Sequence, residues 1–321
     1  MAENQYIYAV ARIRAKENSL LKQQTLDQLM SCKTVKDCTN ILTDYGWDCE
    51  DKTPEQFLSL EREKTWSLMR EMVEDMSVFN IFLYPNDFHN LKAAIKQVYL
   101  GKEIPAIFMK NATVDPVVVL KAVTEKDFSL LPESMRECAD KAYDILFKTG
   151  DSQMMDTVVD KYSLEALYKS GKESKNELFA TYAEMKVVAA NINVAIRSAK
   201  TKKPISFLKE AFVACDTLDI KALTEASLAG LESIYAYLEN TAYHDAIQAI
   251  RKSPSAFECW CDNKMMDLIR PQKYNPFTIS PLAAYVLARE NELKSVRIIL
   301  SGKLNGLPEE AIRERMREMY V

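Results

Sequence analysis

The chain has 321 residues, 48% of them hydrophobic and 27% charged, which suits a folded globular protein and excludes a disordered one. It contains only 7 Gly and 11 Pro; sheets joined by tight turns use glycine freely, so the predicted fold class is all-α. Lys+Arg is 42 and Asp+Glu is 46, a net charge of −4, which excludes a bulk electrostatic grip on nucleic acid or on anionic lipid.

The start, MAENQYIYAVARIRAK, has no apolar core of a signal peptide. The seven cysteines are odd in number and form no C-x-x-C pair, which predicts free thiols in a reducing cytoplasm. Phe57–Val78 reads as an amphipathic helix. After Pro85, the residues Phe88, Leu91, Ile95 and Val98 make an apolar helical stripe, with Asn86 or Asp87 expected as its N-cap. Val117–Leu120 is the only β-branched run and is too short to build a sheet. Met185, Val188, Ile192, Ile196 and Ala199 make a second stripe, followed by expected helices over Ser206–Asp216 and Asp219–Tyr237. Leu293, Val296 and Leu300 make a third, and a last helix is predicted to start at Pro308, after the turn Asn305-Gly306. No apolar run approaches the roughly 18 residues of a membrane span, so membrane association is expected to go through a partner.

The stripes belong to a repeat. Asn90-Leu91-Lys92-Ala93-Ala94-Ile95-Lys96 matches Asn191-Ile192-Asn193-Val194-Ala195-Ile196-Arg197 at a separation of 101 residues. A further 101 reaches Glu292-Leu293-Lys294-Ser295-Val296-Arg297-Ile298, where the aliphatic residue matches again and the base arrives one position early. This period exceeds the roughly 20–50 residues of a solenoid repeat and is the size of a small domain. The repeat arithmetic places three helical domains at 1–119, 120–220 and 221–321.

Chemistry-bearing motifs are scarce. The pairs Gly101-Lys102, Gly171-Lys172 and Gly302-Lys303 lack the rest of a phosphate-binding loop and read as glycine-capped helix ends. Cys259-Trp260-Cys261 has no neighbouring ligands to complete a metal site, and neither His89 nor His244 carries the Glu of a di-iron motif. Asp156-x-x-x-Asp160 could hold magnesium in a helical lyase or transferase, but no convincing second acidic motif stands elsewhere, and a helix surface is the plainer reading. Asn90 and Asn191 are expected either to face a partner or to bond a neighbouring helix. Lys96, Arg197 and Arg297 are expected either to grip an acidic partner or to be solvated helix ends favoured by the macrodipole. These residues favour a structural or adaptor role over catalysis, with no catalytic, cofactor-binding or metal-binding residue assigned.

Three stretches resemble the C subunit of prokaryotic V-type (A/V-type) ATPases, the counterpart of the eukaryotic d subunit. They are Tyr8-Ala9-Val10-Ala11-Arg12-Ile13-Arg14 with Ser19-Leu20-Leu21; Asn86-Asp87-Phe88-His89-Asn90-Leu91-Lys92, echoed at Ala190-Asn191-Ile192; and the tail, from Asn275-Pro276 through Ala283-Ala284-Tyr285-Val286 and Glu290–Arg297 to Leu307–Arg315. The resemblance covers both ends and each third of the chain, but not the middle from about residue 106 to 181. It implies three similar helical domains around a pseudo-threefold axis, forming a funnel-shaped socket. It also implies a non-catalytic rotor subunit without cofactors, peripheral on the cytoplasmic face of the membrane. Its implied task is to couple the central stalk, subunits D and F, to the proteolipid ring, with the membrane stator as a further neighbour, and so to link ATP hydrolysis or synthesis to proton or sodium transport. Asp87, Asn90 and Asn191 are then structural residues of the repeat, and Lys96, Arg197 and Arg297 partner-binding ones. A helical adaptor outside any rotary ATPase is the alternative.

Overall fold

A computed structural model describes residues 6–321, and among them there is no β-strand. The helices are α1 (Ile7–Glu17), α2 (Gln23–Ser31), α3 (Val35–Asp44), α4 (Pro54–Met72), α5 (Asn80–Leu100), α6 (Pro116–Glu125), α7 (Glu133–Thr149) and α8 (Ser152–Glu173). They continue as α9 (Glu177–Thr201), α10 (Ile205–Ala211), α11 (Ile220–Ala229), α12 (Leu231–Glu239), α13 (Ala246–Lys252), α14 (Pro254–Ile269), α15 (Ser280–Leu304) and α16 (Glu309–Arg313). Local chemistry sets many of the starts. Thr34 with Asp37 and Thr53 with Gln56 form capping boxes at α3 and α4. Asp115, Asp151, Asn176, Asp219 and Ser253 each accept a backbone N–H at the start of their helices.

The chain divides into two units. One joins the residues up to Met76 with Gln248–Val321; the other is Ser77–Ile247. In the first, α15 packs against α1–α4 and α14. Leu293, Val296, Ile299 and Leu300 of α15 meet Leu21, Leu26, Leu29, Leu42, Phe57 and Leu58 in one apolar core. Because α15 is enclosed on several sides, apolar residues stand on nearly all its faces. The same enclosure buries charge. Arg289 donates to Glu61 (2.8 Å) and Glu292 (2.9 Å), while Glu292 also accepts the Leu21 N–H (3.2 Å). The Arg289 guanidinium lies 5.4 Å from the Trp47 ring centroid.

In the second unit, α8 packs against α5, α7 and α9. Phe88, Leu91, Ala94 and Ile95 of α5 share a core with Val119, Ala122 and Val123 of α6, Cys138, Ala139 and Ala142 of α7, and Met155 and Val159 of α8. The helix α9 packs against α10, α11 and α12 in turn.

Several expectations are corrected. Pro85 lies inside α5, where it forfeits the bond to the Ile81 carbonyl. The helix continues because its following turns are anchored in the core, so neither Asn86 nor Asp87 is an N-cap. The helix expected at Phe57–Val78 begins at Pro54 and ends at Met72. Asp219–Tyr237 is two helices, parted at Gly230, whose φ of 121° no helix accommodates. Ser206–Asp216 is helical only to Ala211. The β-branched Val117–Leu120 is helical, started by Asp115 and Pro116.

Of the three Gly-Lys pairs, only Gly101 is a left-handed cap, with φ 62°. Gly171 and Gly302 lie inside α8 and α15 because neighbouring elements approach too closely for a side chain. A Cβ at Gly171 would stand 2.5 Å from the Ala183 Cβ and 2.9 Å from the Phe179 carbonyl oxygen. Backbone cannot move aside as a flexible side chain can. Gly171→Ala is therefore expected to lower the unfolding free energy in urea by about 1–3 kcal/mol, despite the gain of roughly 1 kcal/mol in helix propensity; equal or greater stability would contradict this close approach of α8 and α9.

Candidate functional site

The three stripes are α5, α9 and α15, and each carries an asparagine that holds the backbone of the segment returning after the helix. Asn90 Nδ2 donates to the Met109 carbonyl (3.0 Å), and its Oδ1 accepts the Met109 N–H (2.7 Å). Asn191 holds Val213 in the same way, at 2.8 and 3.1 Å. In the third repeat the task is divided: Asn291 donates to the Glu318 carbonyl (3.0 Å) and Asn263 of α14 accepts the Glu318 N–H (3.0 Å). The asparagines thus bond extended segments, not a neighbouring helix.

A carboxylate seconds the first two clamps. Asp87 accepts from the N–H (2.7 Å) and hydroxyl (2.7 Å) of Thr113 and from the Val114 N–H (3.0 Å). Glu184 accepts from the Asp216 N–H (3.2 Å) and from the N–H (2.8 Å) and hydroxyl (2.6 Å) of Thr217. Thr113 and Thr217 both stand four residues after the clamped residue, and both precede by two the aspartate that caps the next helix, Asp115 or Asp219. Burial pushes the Asp87 carboxyl above the usual carboxylate range, and the bonds from Thr113 and Val114 pull it back. The clamps explain why the helix expected at Ser206–Asp216 stops early: an extended backbone gains side-chain partners there that a helix would not need.

The structure sets the third repeat in register. Asn291, not Glu292, is the counterpart of Asn191, so the second separation is 100 residues. The base then stands six residues after the asparagine in every repeat, at Lys96, Arg197 and Arg297. A step of six along an α-helix turns the side chain about 120° away from the clamp. The surroundings of the three bases differ. Lys96 Nζ pairs with Asp156 of α8 (2.7 Å), and Arg297 pairs through two nitrogens with Glu55 of α4 (3.1 and 2.8 Å). Arg197 is exposed, and among the described residues it has no ion-pair partner.

The remaining motifs fall into place as internal contacts. Asp156 and Asp160 pair with Lys96 and Lys92 across α8 and α5. Among the described residues, no three His, Cys, Asp or Glu side chains gather as metal ligands. The Cys259 thiol donates to the Met316 carbonyl (3.1 Å), another hold on the third return segment. His89 bonds the Ile107 carbonyl (2.9 Å) within the first. Burial pushes the Cys38 and Cys138 thiols up to about 12 and Cys49 to about 11, so all three stay protonated near neutrality. Among the described residues no helix is long and apolar enough to cross a membrane.

Glu184, Asn263 and Asn291 escape the sequence reading. A register of 100 between the second and third repeats would have found Asn291, because it aligns Arg297 with Arg197 as well.

This is an all-helical protein in which an asparagine followed six residues later by a base recurs in three long helices, and whose buried polar side chains are directed chiefly at its own backbone. It belongs to the ATP synthase (C/AC39) subunit family, whose profile matches residues 9–315. The chain is similar to the C subunit of the V-type sodium ATPase of Enterococcus hirae, at 21% identity over 96% of this chain and 97% of the relative. It is similar to the C subunit of the A-type ATP synthase of Methanocaldococcus jannaschii, at 24% identity over 96% of this chain and 85% of that one. The corresponding A-type ATP synthase protein of Methanobrevibacter smithii is 25% identical over 97% of this chain and 88% of its own length. The chain is therefore a subunit of a rotary ATPase.

Proposed function

We propose that this chain is the non-catalytic rotor subunit that joins the central stalk, subunits D and F, to the proteolipid ring on the cytoplasmic face of the membrane. In this reading it passes torque between the ATP-hydrolysing head and the ion-translocating ring, for proton or sodium ions, and carries no reaction itself. Three helical domains, at 1–119, 120–220 and 221–321, would form a funnel around a pseudo-threefold axis, with Lys96, Arg197 and Arg297 as candidate contacts for the stalk. The family match across residues 9–315 carries the reading. The recurrence of an asparagine followed six residues later by a base, in three long helices, supports a socket with related walls.

Native mass spectrometry of the chain mixed with the stalk pair, and with detergent-extracted membranes of the source cell, tests it. A one-to-one-to-one assembly with the stalk, or one copy on a proteolipid ring, is the expected result. A monomer that binds neither would end the coupling role and leave a helical adaptor as the better account.

A further inference from the structure

We infer that α9 presents the chain's docking stripe for an acidic helix, and that Arg197 alone of the three repeated bases engages a partner carboxylate. This rests on the coupling role, since it names the chemistry the stalk would present here.

Three observations lead to it. Lys96 and Arg297 are already neutralised by Asp156 and Glu55, whereas Arg197, at the same place in its repeat, is exposed without an ion-pair partner among the described residues. Residues 185–203 hold five bases and no carboxylate, unlike the matching stretches of α5 and α15, where acids and bases mix. Finally, Asn193, Arg197 and Lys200 are all exposed and spaced four and three apart, so they lie on one face of α9, with exposed Lys202 just past its end. Charge complementarity selects a partner with carboxylates three or four residues apart on a helix, because that spacing matches the pitch of the stripe. The pairs at Lys96 and Arg297 would have to be broken before either base could serve; Arg197 carries no such cost.

The test measures affinity for the purified D–F stalk pair with neutral substitutions at each repeated base. Arg197→Gln is expected to weaken binding about 3- to 10-fold at low salt, and Arg197→Glu further, with a flatter salt dependence in Arg197→Gln than in the unaltered chain. Lys96→Gln and Arg297→Gln are expected to stay within about twofold in affinity but to lower Tm by about 1–2 °C, having lost an internal ion pair, while Arg197→Gln leaves Tm unchanged. If Arg197→Gln binds like the unaltered chain, whatever the other two do, the inference is wrong and the coupling role stands. If the unaltered chain does not bind the stalk pair at all, the coupling role fails and takes this inference with it.

Discussion

Arg289→Met should lower the unfolding free energy by about 3–5 kcal/mol at neutral pH, the loss expected when one partner of a buried ionic cluster is removed. Arg289 is buried between Glu61 and Glu292, which are 4% and 0% exposed. Without the guanidinium, two carboxylates would share an enclosed site, with the Leu21 N–H and the Lys64 ammonium as their remaining donors. Burial already holds the Glu292 carboxyl above the usual carboxylate range with Arg289 in place. Removing the cation raises it further, and a group with a raised folded pKa contributes stability that is present below its unfolded value and lost as pH rises through the folded one. The deficit of Arg289→Met should therefore shrink as the pH falls toward the carboxylate range. Adding Glu292→Gln should recover part of the loss at pH 7, since the amide can still accept the Leu21 N–H. Urea titrations of both variants at pH 7 and 5 decide it. A deficit independent of pH, and unrelieved by Glu292→Gln, would mean that lost packing against Trp47, not stranded charge, sets the cost.

The helices are legible where apolar spacing alone decides, as in α5, α9 and α15. What escapes reading depends on partners far away in the chain. The ion pairs of Lys96 with Asp156 and of Arg297 with Glu55 join residues 60 and 242 positions apart, so three bases that look equivalent in sequence are not equivalent in the fold. The return segments look helical or featureless in sequence because their backbone groups are satisfied by side chains of an earlier helix, which no local propensity reports. Gly171 and Gly302 look like caps beside their lysines, and only the approach of Ala183 and Ile312 shows that they are contact residues. The register slip at Glu292 is simpler: Asn291 follows Asn191 by 100 residues, one fewer than separate Asn90 and Asn191, so a constant period of 101 lands on Glu292, a member of the buried charge cluster of α15, instead of on Asn291.

Asn191→Ala should cost about 2–4 kcal/mol, because it strips the partner from both the N–H and the carbonyl of Val213, each worth about 1–3 kcal/mol when left buried and unbonded. Val213 is 1% exposed, so water cannot take over. Asn191→Asp should be no better: the carboxylate keeps the N–H but sets its second oxygen against the Val213 carbonyl at the position where Nδ2 now donates. The same substitution at Asn90 provides the control. Its bonds to Met109 have the same arrangement, but Met109 is 42% exposed. These two bonds are only part-buried, so Asn90→Ala is expected to cost less, about 1 kcal/mol. Urea unfolding gives the two losses, and hydrogen exchange at the Val213 and Met109 amides shows whether each segment opens locally. Equal losses at the two sites would mean that the clamps act by holding chain geometry; a larger loss at Asn191 would mean that burial sets their strength. In the second case the second return segment is the more rigid of the two.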